Sequence, residues 1–224
     1  MQVNKSYYKN QGIHAITAIF TVERGVPKVL LIKRKNEPFI GEWCLTGGAI
    51  RNDEDLLDGA KREIFEKSGI KDINIYEFKT FGKVDRSPVM RMVAVGYIGV
   101  IDCNRVNILK ETTKTSNADW FRIDKIPSLA YDHEEILADA IDFLKQKITE
   151  SNILSSLFPN NFTMPELQKV YEAILGKEFD RRNFRKKILS LNIVEDTNLT
   201  MKFEGKKPAK LYKFKDNIEY KSVF

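Results

Sequence analysis

Residues 48 to 70 gather Gly48, Glu54, Arg62, Glu63, Glu66 and Lys67 at spacings that could do chemistry. On a helix, positions three and four apart share a face, so Glu63, Glu66 and Lys67 converge on one patch. Carboxylate oxygens in such a patch are the hard donors that Mg²⁺ takes, which makes Glu63 and Glu66 the candidate metal ligands. Lys67 works against them. Its ammonium has three donors and no lone pair, so it repels a cation instead of binding one. As an ordinary i, i+4 surface pair, Glu63 and Lys67 would contribute about 0.2 to 0.5 kcal/mol.

A helix is needed to hold this patch, and the spacing predicts one from Asp53 to Lys67, with Leu56, Leu57, Ala60 and Ile64 packed inward and the acidic edge exposed. The short β-branched runs at 12 to 22 and 28 to 34 read as a hairpin of buried strands turning at Gly25-Val26-Pro27. Further strands are predicted at 74 to 82, 90 to 101 and 119 to 123, and an amphipathic helix at 132 to 148 closes the domain. Strands alternating with helices give an α/β or α+β layer structure.

The run Gly47-Gly48-Ala49-Ile50-Arg51-Asn52-Asp53-Glu54 followed by Arg62-Glu63-Ile64-Phe65-Glu66-Lys67-Ser68-Gly69-Ile70 resembles the Nudix box. That pattern is Gly, five residues, Glu, seven residues, Arg-Glu, an aliphatic residue, any residue, Glu-Glu, any residue, Gly and an aliphatic residue. Gly48, Glu54, Arg62, Glu63, Ile64, Glu66, Gly69 and Ile70 match, while Lys67 replaces the second Glu of the pair and Thr46 stands where Pro is usual. The resemblance implies a mixed-sheet α/β/α sandwich, Mg²⁺ on the acidic patch, a diphosphate substrate, and Arg62 orienting the carboxylates. With Lys67 in place, it implies a degenerate box with no catalytic residues in service, no required cofactor, and Mg²⁺ only if residual hydrolysis survives. The flanking Leu31-Ile32-Lys33-Arg34 and Gly41-Glu42-Trp43 also look Nudix-like, and the loop Phe81-Gly82-Lys83-Val84-Asp85-Arg86-Ser87-Pro88 resembles that of ADP-ribose-type Nudix proteins and the related regulators; Arg34, Asp85 and Arg86 are the candidate ligand contacts. Asp85 and Arg86 read equally well as a polar turn before a strand.

The last third is different in charge. Residues 1 to 150 hold 23 Lys+Arg against 22 Asp+Glu, and residues 151 to 224 hold 14 against 9, so the formal +6 sits mostly in the tail. A basic domain beside a neutral one points to nucleic acid or another anionic surface. Thr163-Met164-Pro165-Glu166 is a capping box with Pro in the first turn, opening a helix with an apolar stripe of Leu167, Val170, Tyr171 and Ile174 that Gly176 ends. Asp180 caps a second helix, which buries Phe184, Ile188 and Leu191 and turns Arg181, Arg182, Asn183, Arg185, Lys186 and Lys187 outward. Ile193-Val194 and Leu211-Tyr212-Lys213-Phe214 read as strands around a loop with Gly205-Lys206-Lys207-Pro208. Cap, helix, turn, basic helix and hairpin in that order make a winged helix-turn-helix, with Arg182 and Arg185 toward base edges and Lys206 and Lys207 on the phosphate backbone.

A Nudix-like part at 1 to 150 and this winged helix at 151 to 224 together resemble the Nudix-related transcriptional regulators, through Leu167 to Ile174, Arg182 to Lys186 and Leu211 to Phe214. The resemblance implies a ligand-responsive homodimer on a palindromic double-stranded operator, with ADP-ribose, a sugar or a related metabolite as its effector. The rival reading is an active Mg²⁺-dependent hydrolase of ADP-ribose or another nucleoside diphosphate derivative; an RNA-binding protein is disfavoured because no aromatic stacking platform is evident. Composition supports a packed soluble protein, 42% hydrophobic and 30% charged. No apolar run reaches the roughly 20 residues of a membrane span and no signal-peptide core opens the chain, so a cytoplasmic protein is expected. Cys44, Cys103, His14 and His133 are too scattered for a zinc site, and both cysteines are expected as free thiols.

Overall fold

The structure is a computed structural model that describes residues 11–158, 160–202 and 208–215. Strand β1 (Gln11–Glu23) turns through Arg24 and Gly25, both at positive φ, into β2 (Val26–Arg34), and the two pair antiparallel. β3 (Trp43–Cys44) adds to β2, and β4 (Thr46–Ala49) pairs with the first half of β1. Helix α1 (Leu56–Ser68) follows, then β5 (Ile75–Phe81), β6 (Arg91–Val100), β7 (Thr115–Arg122) and helix α2 (His133–Glu150). β6 runs parallel to β1 and the remaining pairs are antiparallel, giving a mixed seven-stranded sheet.

Alternation along the strands builds two apolar layers, because successive side chains leave a strand on opposite faces. Ile16, Ala18 and Phe20 of β1 with Val29 and Leu31 of β2 meet Ile136, Leu137, Ala140 and Leu144 of α2. Ala15, Ile19, Leu30 and Ile32 meet Ala60 and Ile64 of α1 on the other side. The result is the α/β/α sandwich that the motif implies.

The tail forms a second sheet and two helices: a short 3-10 helix (Ile153–Leu157), β8 (Phe162–Thr163), α3 (Met164–Leu175), α4 (Arg181–Ser190), β9 (Val194–Met201) and β10 (Ala209–Phe214), with strand order β8-β10-β9. The capping box forms as the sequence requires, Thr163 accepting from the Glu166 amide while the Glu166 carboxylate takes the Thr163 amide. Gly176 ends α3 in the left-handed conformation, and Asp180 accepts from the amides of Arg182 and Asn183. The winged helix is therefore set by caps that its own sequence supplies.

The α2 layer does not stop at the sandwich. Ile148, Ile153, Leu154, Phe162, Leu167, Tyr171 and Ile174 continue it without interruption into the winged helix. The Tyr171 hydroxyl, itself buried, donates to the Ile148 carbonyl near the end of α2 at 2.9 Å. Among the described residues no helix is long and apolar enough to cross a membrane.

Several expectations are corrected. Helix α1 begins at Leu56 instead of Asp53, and Leu56 and Leu57 stand 37% and 43% exposed. Its buried stripe is Gly59, Ala60, Glu63, Ile64 and Lys67, so the acidic edge is turned inward at Glu63 and the Glu63–Lys67 pair is not a surface pair. The strand predicted at 119 to 123 starts earlier, at Thr115, because β7 pairs along the whole length of β2 despite its polar start. Leu191 caps α4 and is only partly buried.

Because one core serves both parts, Leu154→Ala should cost about 2 to 5 kcal/mol and lower the unfolding midpoint of the whole chain. The check is denaturant unfolding followed by helical circular dichroism and by the fluorescence of Trp43 and Trp120, which lie in the sandwich. The two curves should coincide in wild type and variant; separate transitions would contradict a shared core.

Candidate functional site

The site is built around a carboxylate that only glycine allows. A Cβ at Gly48 would lie 2.3 Å from Glu63 Oε2, so the bare backbone of β4 makes the room in which Glu63 is buried at 3% exposure. A charge so placed must be paired. Arg62 supplies the first partner: its Nη1 reaches Glu63 Oε1 at 2.5 Å and Glu66 at 3.3 Å, while Nε and Nη2 grip both oxygens of Glu54 at 2.8 and 2.6 Å. A further bond runs from Arg62 to the Ala49 carbonyl. Arg62 thus orients the acidic cluster, as the Nudix resemblance implies.

Two lysines complete the pairing. Lys67, buried on the same helix, points back to β4, donating to the Gly47 carbonyl and standing 3.5 Å from Glu63 Oε2. Lys114, just before β7, reaches Glu63 Oε1 at 3.0 Å and Glu66 Oε2 at 2.5 Å. Arg51 lies 3.3 Å from Glu66 Oε1. Sequence reading did not find Lys114, since nothing local marks a contact that spans 48 to 51 positions.

The charges follow these contacts. The hydrogen bonds from Arg62 hold the Glu54 carboxyl down to about 2. Burial pushes Glu63 up, but Lys67, Arg62 and Lys114 outweigh it and keep the group below the ordinary carboxylate range. Burial lowers Lys67, with the Glu63 charge opposing.

A Mg²⁺ ion needs carboxylate oxygens that are not already committed. Here Glu54 is chelated by Arg62, both oxygens of Glu66 face cations, and Glu63 Oε1 is held twice; Glu63 Oε2 accepts no hydrogen bond, but the Lys67 ammonium faces it. Among the described residues no group of three or more His, Cys, Asp or Glu side chains is placed to hold a metal ion. The donor set does not fit the ion that the box implies.

Beside this cluster lies a pocket of about 50 Å³ whose lining includes Arg34, Lys67 and Arg86 with His14, Tyr131 and His133. Arg34, on β2, is fixed by bonds to the carbonyls of Pro38 and Asn36 and lies over the Tyr131 ring at 5.1 Å. Tyr131 sits at φ 59°, a conformation that a bulky residue adopts at a cost of about 1 to 2 kcal/mol, and so brings its ring between Arg34 and His133. Arg86, 6% exposed, makes a two-pronged ion pair with Asp132, the residue that precedes α2. Asp85 is exposed and lies outside the lining, so the structure brings Arg34 and Arg86 together and leaves Asp85 out.

Neutral histidines line the same space. Burial, then the charges of Arg86 and Lys67, bring His14 down to about 4 and His133 down to about 3. His133 Nδ1 accepts from the Leu45 amide at 3.1 Å, which puts its proton on Nε2. Cys44, also in the lining, is a buried free thiol pushed up by burial; Cys103 is free as well. Positive charge therefore dominates the pocket, and an anionic group is the ligand chemistry it suits.

On the winged helix, Phe184 and Ile188 of α4 are buried, and Arg181, Arg182, Asn183, Arg185 and Lys186 are exposed. At 100° per residue, Arg182 and Lys186 point most directly away from the core. Arg185 lies to one side, where its guanidinium donates to the Tyr212 hydroxyl of β10 at 3.1 Å. Arg182 and Lys186 are thus the outermost cations of α4, while Arg182 and Arg185, the base-edge pair read from sequence, are both exposed. Lys206 and Lys207 lie outside the described residues.

Comparison with known proteins agrees with both halves. Residues 13–141 match the NUDIX domain and residues 154–214 match the NrtR DNA-binding winged helix domain. The chain is 32% identical over 217 residues to the ADPR responsive transcriptional repressor NtrR of Acinetobacter baylyi, across 95% of this chain and 86% of that one. It is 30% identical over 127 residues to an ADP-ribose pyrophosphatase of Methanocaldococcus jannaschii, across 57% of this chain and 73% of that one. The crystal structure of Shewanella oneidensis NrtR complexed with a 27mer DNA superimposes with a TM-score of 0.74 at 29% identity, covering 91% of this chain and 93% of that one.

The two depressed histidines set a pH dependence. Each is neutral in the folded state down to about pH 4 or 3 and protonates near 6.5 when unfolded, so the stability they contribute is present above 6.5 and is lost as pH falls. Urea midpoints should drop between pH 7 and pH 5 by an amount equivalent to about 1 to 2 kcal/mol per histidine, and His14→Gln should remove part of that drop. A midpoint that stays flat over this interval would count against the buried neutral pair.

Proposed function

We propose a function from one premise: this chain belongs to the NrtR family of Nudix-related transcriptional regulators. It is a ligand-responsive DNA-binding repressor, in which the winged helix holds an operator and the Nudix domain takes ADP-ribose. The observation that carries the reading is the pocket in which Arg34, Lys67 and Arg86 converge, since a diphosphate answers their charge and a neutral pentose, with hydroxyls alone, does not. Both curated relatives, one a repressor and one a hydrolase, are named for ADP-ribose. The charged part of the ligand sits in the enclosed space, with the remainder at the mouth beside Tyr131.

Helix α2 links the two sites. It starts at the Arg86–Asp132 ion pair and the pocket residue His133, runs 18 residues or roughly 27 Å, and ends beneath the Tyr171 hydroxyl. A ligand anion that competes with Asp132 for Arg86 shifts the start of a rigid helix whose far end is packed on α3. Two states of that helix, one favoured by ligand and one by DNA, are sufficient for coupling.

The working form is a homodimer in the cytoplasm on an inverted repeat, its half-sites about one helical turn, roughly 34 Å, apart. No cofactor is required, and diphosphate hydrolysis is absent or residual. The hydrolase reading keeps Glu54, Glu63 and Glu66, but it has to operate with Lys67 and Lys114 among them.

Fluorescence anisotropy on DNA from upstream of the chain's own gene cluster tests this. Affinity should fall steeply with salt, and ADP-ribose should release the DNA where arabinose does not. ADP-ribose turnover with Mg²⁺ should stay far below the usual enzyme range of about 1 to 10³ s⁻¹; turnover within it would favour the hydrolase. On the specific site, Arg182→Ala and Lys186→Ala should each cost about 1 to 3 kcal/mol, and equal losses on specific and random DNA for both would remove α4 from base readout.

A further inference from the structure

We propose that Lys67 and Lys114 act as a pair that takes the place of a divalent cation, so that the acidic cluster of this Nudix fold excludes metal by construction and the Lys67 ammonium becomes part of the anion's seat. Only the last clause rests on reading the pocket as a diphosphate site.

Glu63 and Glu66 present four oxygens to the cluster. Lys114 and Arg62 take Glu63 Oε1, Lys67 faces Glu63 Oε2, Arg51 faces Glu66 Oε1, and Lys114 with Arg62 takes Glu66 Oε2. Each oxygen meets a nitrogen cation. Set against Glu54, Glu63 and Glu66, the cations Arg51, Arg62, Lys67 and Lys114 already exceed the carboxylates by one charge, with no ion added. A divalent ion entering this group would meet net positive charge in a partly buried place, where repulsion is weakly screened.

Lys114 is held by its turn and is not a chance surface contact. The Thr112 hydroxyl accepts from the amides of Lys114 and Thr115, the Thr112 amide donates to the Thr115 carbonyl, and the Lys35 amide donates to the Lys114 carbonyl. From this turn before β7 the side chain reaches Glu63 and Glu66 on the α1 helix that also carries Lys67. Loss of metal binding consequently has two causes, and reverting Lys67 alone leaves the second in place. Lys67 also lines the pocket with Arg34 and Arg86, while Lys114 does not, which divides the pair into one lysine that faces ligand and one that only holds the carboxylates.

Mn²⁺ binding read by electron paramagnetic resonance tests the proposal in the full-length protein, with wild type, K67E, K114Q and the double variant compared. Wild type should show no site in the micromolar range; K67E and K114Q should each gain about tenfold in affinity, and the double variant more than either. Tight Mn²⁺ binding by wild type, or a double variant no better than K67E, overturns the pair. If K67E fails to fold, K114Q against wild type still decides, since equal Mn²⁺ binding removes Lys114 from the account. Release of DNA by ADP-ribose in EDTA, measured on the same wild-type sample, reports on the ligand separately. Its failure would sink the ADP-ribose reading and leave the metal result standing.

Discussion

Burying the Glu63 carboxylate against Gly48 is the constraint from which the rest of the site follows. An ionised carboxylate removed from water costs several kcal/mol unless cations and hydrogen bonds answer it. Where a metal is the partner, the surrounding groups can all be acidic. In this chain the answer comes from Arg62, Lys67 and Lys114, and once these are in place the cluster is complete and no oxygen remains for an ion. The charge that enters the neighbouring pocket is then a fixed ammonium in company with Arg34 and Arg86. A fixed charge holds an anion without supplying the activated water that cleavage requires, which is the difference between a sensor and a hydrolase.

The same economy joins the pocket to DNA. Arg86 is almost wholly buried, yet its partner is Asp132 at the entry to α2, so the residue best placed to meet a ligand is also tied to the element that leaves the site. Apolar packing from Ile148 through Leu154 to Tyr171 then joins α2 to the winged helix, with Thr149 to Asn152 as the only polar stretch of chain between Ile148 and Ile153. Packed interfaces of this kind move between discrete arrangements and do not deform smoothly, so the proposed coupling needs only a small shift at Asp132 for α2 to carry to its far end.

Much of this was legible in the sequence because its signals are local. Gly48, Glu54, Arg62, Glu63 and Glu66 stand at spacings that a helix and a preceding turn convert directly into neighbours, and the caps at Thr163 and Asp180 bond only to residues two or three positions away. Periodicity, however, reports a stripe without saying which stripe meets the sheet. Ala60 and Ile64 pack inward as their spacing suggests, but Gly48 admits a carboxylate, and Glu63 and Lys67 are buried beside them where Leu56 and Leu57 were expected. Lys114 and Tyr131 were not legible at all. One acts across some fifty residues and the other through a left-handed backbone conformation that no composition signals. The tether of Arg185 was not legible either, since Tyr212 comes from a strand 27 positions away.

Fixed cations standing where a metal would, in a pocket that holds an anion without consuming it, require that ligand binding be independent of Mg²⁺. Isothermal titration calorimetry of the full-length chain with ADP-ribose, once in EDTA and once with millimolar Mg²⁺, addresses it most directly. A single saturable event of the same affinity is expected in both buffers, with the baseline returning after every injection. Binding that appears only with Mg²⁺, or a continuing heat of turnover after injection, would contradict it.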